Sequence, residues 1–311
     1  MGAADQSVWS FPILRRVNMS KKLLYLHIGW SKTGTSAIQA NLDQQFAELK
    51  SQGILYSKKM QMNDHAHHHF ALAFAPIHGY PAKYTIDQTI NMLNEEMEEN
   101  NCESLLLSSE LSPFYFNNPK FCEWVKRFDE IKIIATVRRQ SELFLSLFNQ
   151  LVKDPQVRYK GSFFQLAISN FPKMNFFQHL TRWSEKVSDD NIIVINYDDD
   201  VVKQFLSLFS LSVDSSCLKQ VINPSLPVNT LRLMQSRTKN IEDPNQYRNI
   251  RDLLINEYQH SKDKPDNIFL TKGELDTIDN HFAAPNNVLA KRFMGKPMLF
   301  ELKVNQTIYV Y

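Results

Sequence analysis

The sequence predicts an α/β protein of three layers, a central parallel sheet of about four or five strands flanked by helices. Three observations carry this reading. Short apolar runs of strand length recur at 23–28, 104–107, 131–137 and 191–195, and they lack the polar alternation of a half-wetted sheet. These runs end in small or polar turn residues, and helical patterns lie between them. Those patterns put apolar side chains on one face, as with Ile38, Leu42, Phe46 and Leu49, or Leu143, Phe144, Leu147, Phe148 and Leu151.

Composition sets the bounds. The chain has 311 residues, 43% hydrophobic and 22% charged, enough for a sizeable core. Residues 21–311 read as a single α/β domain, and 1–20 as a tail or extension, with Met19 an alternative start. Arg15 and Arg16 are not followed by the apolar core and small-residue cleavage site of a signal peptide, and no stretch is long and apolar enough to span a membrane. A net charge of +2 gives no basic field for nucleic acid. Three widely spaced cysteines, Cys102, Cys122 and Cys217, suggest a reducing compartment and give no metal pattern. The expected location is cytoplasmic.

The first strand, from Leu23, runs into Gly29-Trp30-Ser31-Lys32-Thr33-Gly34-Thr35-Ser36, and a helix starts near Thr35. Strand, small-residue loop and helix start make a phosphate cradle: loop amides and the positive end of the helix dipole converge on an anion. Gly29 and Gly34 keep the glycine spacing of the nucleoside-triphosphatase loop, but Thr35 stands where its lysine belongs. The lysine is instead Lys32, inside the loop, which makes a magnesium-bound nucleotide a poor expectation.

Gly53–Ser57 reads as a short strand. The histidine run that follows places His65 and His69 on one helical face, without a carboxylate or cysteine at ligand spacing, so no metal is expected. It reads as a solvated helix start or as an acceptor-side wall using a histidine such as His67. Residues 84–100 form an amphipathic helix on Ile86, Ile90, Leu93 and Met97, with Glu95, Glu96, Glu98 and Glu99 as a solvated face. The strand at 104–109 ends in Glu110-Leu111-Ser112-Pro113. Ligands of parallel sheets bind beyond the carboxyl ends of strands, so Glu110 is either a functional carboxylate or a helix-capping or salt-bridged one.

The strand at 131–137 ends in Arg138, and Ser146 follows eight residues later, off the apolar stripe of the next helix. That spacing lets the arginine and the serine converge on one anion. Asn191–Asn196 is another buried strand, ending at Tyr197, and residues 228–282 read as helices beyond a Pro224–Pro227 loop.

Lys32-Thr33-Gly34-Thr35-Ser36 resembles the 5′-phosphosulfate loop of sulfotransferases that use 3′-phosphoadenosine 5′-phosphosulfate (PAPS), and Arg138-x₇-Ser146 is similar to their 3′-phosphate motif. Arg139-Gln140 replaces the Asp/Asn-Pro that often follows that arginine. The resemblance implies a P-loop-like fold, and PAPS held by Lys32, Thr33, Gly34, Thr35, Ser36, Arg138, Ser146 and, beyond its strand, Tyr197. It implies sulfuryl transfer without a metal to an acceptor hydroxyl, on a carbohydrate or glycoconjugate. Lys32 then has a catalytic role. The base of the cytosolic members is a histidine in a Lys-Thr-His-Leu-Pro segment that this chain lacks. Glycan-directed members use a glutamate, which leaves Glu110, or a histidine such as His27 or His67. Residues 286–293 resemble the closing helix of bacterial glycan-type members; the Arg-Lys-Gly triplet with which cytosolic members touch the 3′-phosphate is missing, and Lys291 and Arg292 are either its substitutes or a plain basic helix end. A nucleotide or metabolite kinase, and a non-catalytic nucleotide- or glycan-binding relative, are the competing readings. Oligomeric state is open.

Overall fold

The structure, a computed structural model, describes residues 21–76, 81–111, 117–214, 225–260 and 272–301. The tail at 1–20, Ser112-Pro113, Cys217 and Pro224 lie outside the described residues.

Five strands form one sheet: β1 (Leu23–His27), β2 (Ile54–Tyr56), β3 (Ser104–Ser108), β4 (Glu130–Val137) and β5 (Ile192–Asn196). Their order is β2-β3-β1-β4-β5, and the β1–β3, β1–β4 and β2–β3 pairs run parallel. β1 is central and all five of its residues are buried. A strand covered on both faces has no place for polar alternation, which is why LLYLH reads as an unbroken apolar run up to its last residue. The chain groups into two compact units, the first holding the chain to Gly29, Gly34–Ala135 and the stretch from Asp198, the second holding Trp30–Thr33, Thr136–Tyr197 and the C-terminal helices.

In the first unit, α1 (Thr35–Gln44), α2 (Phe46–Ser51), α3 (His68–Phe74), α4 (Ile86–Glu99), α5 (Pro119–Trp124) and α9 (Val201–Ser207) surround the strands. Ile38, Leu42, Leu24 and Leu26 are fully buried. Phe205 and Phe209 of and just after α9 pack on β1, with Phe209 edge-on to Tyr25 at 5.1 Å and Phe205 4.6 Å from His27. A second cluster joins Phe70, Phe74, Phe121, Trp124 and Phe128. α4 begins at a reciprocal capping box: Thr85 Oγ1 accepts from the Gln88 amide at 3.2 Å and Gln88 Oε1 from the Thr85 amide at 2.9 Å.

One expectation for α4 is corrected. Glu95, Glu98 and Glu99 are exposed, but Glu96 is only 4% exposed. Its carboxylate accepts from Ser57 Oγ at 2.5 Å, the Lys58 amide at 2.7 Å and the Lys59 amide at 3.3 Å. Three donors from the turn after β2 offset the desolvation that would otherwise keep a carboxylate in water.

In the second unit, α6 (Gln140–Lys153), α7 (Phe163–Asn170) and α8 (Phe176–Ser184) precede β5, and helices Val228–Arg237, Pro244–His260 and Lys272–Leu289 follow it. Leu143, Phe144, Phe148, Leu180, Trp183, Leu231 and Phe282 make its core. Gln140 and Asn286 exchange side-chain hydrogen bonds at 3.0 and 2.9 Å, tying the start of α6 to the last of these helices. The expected closing helix at 286–293 is the end of that helix and a π turn, Ala290–Met294.

Candidate functional site

The loop between β1 and α1 takes its shape from two left-handed residues, Lys32 (φ 70°) and Gly34 (φ 86°). Glycine adopts this conformation without strain; lysine does so at a cost and is held there by its surroundings. Thr33 between them is fully buried, and its hydroxyl donates to the Trp30 carbonyl at 2.5 Å and shares a 2.8 Å hydrogen bond with Thr136 on β4. That hydroxyl anchors the loop, which leaves the backbone amide of Thr33, not its side chain, to meet a ligand. Trp30 braces the other side by donating its indole N–H to the Lys173 carbonyl at 2.9 Å.

Helix α1 starts directly after Gly34, with no side-chain cap and no acidic residue in its first turn. Its leading amides and dipole are thus left to a ligand or to water. Thr35 is 4% exposed, whereas Ser36 is open to solvent.

Arg138, at the end of β4, is fixed by three neighbours. Its guanidinium lies over the Tyr197 ring at 4.4 Å from the centroid, Nε donates to Glu142 at 3.4 Å, and Nη1 donates to the Lys32 carbonyl at 3.4 Å. Residues 106 apart in sequence are therefore joined where strand meets loop. Tyr197 serves as the platform of the arginine.

Lys32 and Ser146 line one cavity of about 350 Å³. The same cavity is lined by Lys153, Asp154, Ser225 and Arg251. Arg138 and Tyr197 are not among its lining residues; Arg138 touches the Lys32 backbone. Lys153, at the end of α6, is 6% exposed, and burial, then repulsion from Lys32 and Arg251, pushes its ammonium pKa down to about 8. Sequence reasoning missed Lys153 and Arg251. The first was within reach, since residues 146, 149, 150 and 153 share one helical face. The second, on helix Pro244–His260, has no local signal. Lys291 is exposed, and Arg292 is engaged elsewhere, with Asp189 at 2.7 and 3.0 Å and Ser184 at 2.9 Å.

Glu110 closes β3 in the first unit. Its oxygens face Gln39 Nε2 at 3.5 Å and His68 Nε2 at 3.8 Å. Gln39 also donates to Ser108 Oγ at 3.1 Å, which meets His27 Nδ1 at 2.8 Å. His68 is set by Ser109 Oγ at 2.8 Å on Nδ1 and by Asp64 at 3.3 Å on Nε2. A continuous polar string thus leads from His27 through Ser108, Gln39 and Glu110 to His68.

The other histidines point elsewhere. His67 is fully buried; Nε2 donates to the Ser57 carbonyl and Nδ1 accepts from the Ser108 amide, both at 2.8 Å. Burial pushes its pKa down to about 3, so the ring is neutral with one fixed tautomer. Both ring nitrogens of the expected catalytic His67 are thus engaged within the protein. His27 is 1% exposed, and burial pushes its pKa down to about 3 as well. His65 faces Asp43 at 3.2 Å and His69 the Tyr84 ring at 5.5 Å. Among the described residues no three His, Cys, Asp or Glu side chains gather to hold a metal ion.

No protein-family model matches the chain, and no curated protein matches it in sequence. Solved structures with a similar course include a sulfotransferase from Alicyclobacillus acidocaldarius, at 16% identity and a TM-score of 0.41, over 72% of this chain and 95% of that one. Mouse sulfotransferase SULT7A1 complexed with PAP is similar at 14% identity and a TM-score of 0.38, over 88% of this chain and 85% of that one. The sulfotransferase domain of the Synechococcus PCC 7002 olefin synthase is similar at 13% identity and a TM-score of 0.36, over 84% of this chain and 94% of that one.

Proposed function

We propose that the chain is a sulfotransferase that moves the sulfuryl group of PAPS to an acceptor hydroxyl. The observation that carries this reading is that Lys32 and Ser146, one from each anion motif, line a single cavity, with Arg138 bonded to the Lys32 backbone. A donor with phosphates at both ends needs two separate clusters of donors facing the same space.

Lys32 neutralises charge on the oxygen between phosphate and sulfate as that bond breaks. The backbone amides of Thr33, Gly34, Thr35 and Ser36 hold the 5′ group, as the uncapped start of α1 favours. Arg138, held flat by Tyr197, and Ser146 take the 3′-phosphate and so align the donor before attack. Glu110 accepts the acceptor proton as the new O–S bond forms opposite the leaving phosphate. Gln39 and His68 orient that carboxylate. With Thr35 in place of the lysine that follows the loop in triphosphatases, transfer without a metal fits the loop.

The resemblance favours a carbohydrate or glycoconjugate acceptor, and the small number of cysteines favours a cytoplasmic setting. No helix among the described residues is long and apolar enough to cross a membrane.

Incubation with ³⁵S-labelled PAPS and a panel of saccharide and phenolic hydroxyls tests the reading. Label should pass to at least one acceptor in the presence of a chelator, and Lys32→Ala should abolish the transfer. No transfer to any acceptor together with no PAP binding would overturn it, as would magnesium-dependent phosphorylation from ATP.

A further inference from the structure

We propose that Lys153 and Arg251 bind a phosphate- or sulfate-type anion in the cavity that Lys32 and Ser146 line. The inference deepens the donor site above and rests on that reading only for the name of the anion.

Three cationic side chains, Lys32, Lys153 and Arg251, reach this one cavity from three separate segments. Among the described residues, Asp154 lines the cavity and Asp252 adjoins Arg251. Asp154 Oδ1 accepts from the amides of Gln156 at 2.8 Å and Val157 at 3.4 Å. Asp252 accepts from Arg251 Nε at 2.8 Å. Like charges gathered at one cavity repel, and an anion between them relieves that repulsion.

The walls are built to hold this arrangement. Ser146 and Lys153 are two turns apart on one face of α6. Between them Asn149 donates to the Leu226 carbonyl at 2.7 Å and accepts from the Leu226 amide at 3.2 Å, which pins Ser225 at the cavity. Arg251 sits one turn beyond Tyr247, whose hydroxyl donates to the Val152 carbonyl at the end of α6. That bond locks the arginine's helix beside the buried lysine. Lys153 is only 6% exposed, so its position at the cavity wall is set by the packing of α6.

The anion has two possible sources, the 3′-phosphate of the donor or an acidic group on the acceptor, and binding separates them. Titration calorimetry with PAP, AMP and inorganic phosphate is run on the full chain, on Lys153→Met, Lys153→Arg and Arg251→Gln, with Arg292→Gln as a surface control. Lys153→Met and Arg251→Gln should each weaken PAP by about 10-fold or more, while Lys153→Arg keeps most of the affinity and Arg292→Gln all of it. Loss confined to PAP, with AMP unchanged, assigns the 3′-phosphate. Unchanged PAP with a raised KM for sulfated or carboxylated acceptors only assigns the acceptor. Unchanged binding of PAP and phosphate, with unchanged acceptor KM, in variants that melt like the parent would overturn the proposal. Should Lys153→Met fail to fold, Arg251→Gln, at a side chain 22% exposed, decides alone. Loss of phosphate binding in a chain that transfers no sulfate would sink the sulfotransferase reading and leave this one standing; sulfate transfer with unaffected variants would do the reverse.

Discussion

Arg138 stacks on Tyr197, with its guanidinium 4.4 Å from the ring centroid, while the same group donates to the Lys32 carbonyl. The ring therefore fixes the plane of the arginine, and the arginine fixes the backbone of the loop. Such a contact contributes about 1 kcal/mol when partly desolvated. Replacing Tyr197 by Ala should weaken PAP binding by roughly 5-fold, whereas Tyr197→Phe, which keeps the ring face, should stay within about 2-fold of the parent. Calorimetry on the two variants checks this, and equal losses would show that the hydroxyl, not the ring, matters.

The buried Glu96 makes a separate prediction about stability. Its carboxylate gathers three donors from Ser57, Lys58 and Lys59. Glu96→Ala strands those donors and should cost about 3 kcal/mol, read as a lower urea midpoint at unchanged slope. The measured loss should leave PAP affinity unchanged in the folded protein. Were Glu96 the solvated residue its sequence context suggests, the midpoint would hardly move.

Lys153 gives a pH dependence whose sign follows from its direction of shift. Its pKa falls from the usual 10.5 to about 8 on folding, through burial and the nearby charges of Lys32 and Arg251. The unfolded chain then holds the proton between about pH 8 and 10.5 while the folded chain has released it, so this group adds stability as pH rises through that window. The penalty is about 3 kcal/mol, present below the window and relieved above it. The difference in urea midpoint between the parent and Lys153→Met isolates it from the tyrosines that titrate above. That difference should shift in favour of the parent from pH 8 to 10. Anion affinity runs the opposite way and should fall as pH passes about 8, because the neutral amine no longer attracts the anion. A flat difference across the window would mean that the lysine is no less charged in the folded state.

Much of this architecture was legible because burial on both faces writes itself into composition. β1, β3 and β5 stand out as apolar runs for that reason, and the loop at Lys32 and Gly34 is marked by glycine spacing and small hydroxyls. The eight-residue step from Arg138 to Ser146 is countable in the sequence, and Ser146 lines the cavity with Lys32. Elsewhere single residues defeated the count. One step along a helix turns a side chain by about 100°, so in the histidine run His67 enters the core while His68 faces Glu110. Glu96 lies among exposed glutamates, yet its phase aims it at the turn after β2. Arg251 reaches the cavity from a helix about a hundred residues beyond Ser146, a juxtaposition no local pattern encodes.

Glu110 is where the chemistry and the fold can be told apart. Gln39 and His68 hold its two oxygens at 3.5 and 3.8 Å, longer than good hydrogen bonds, so the carboxylate is oriented without being saturated. A group placed to receive a proton needs this spare capacity, whereas a purely structural carboxylate such as Glu96 has its acceptors filled. Glu110→Gln keeps the size and the contact with His68 but cannot accept the proton, so kcat should drop by 10²- to 10⁴-fold with PAP affinity within about 2-fold. His68→Asn should lower kcat less and shift the pH profile of kcat, because it acts on Glu110 and not on the acceptor. Stopped-flow transfer from labelled PAPS reads the chemical step directly. If Glu110→Gln retained full turnover while losing melting temperature, the residue would be a strand-end brace, and the proton would have to leave by another route.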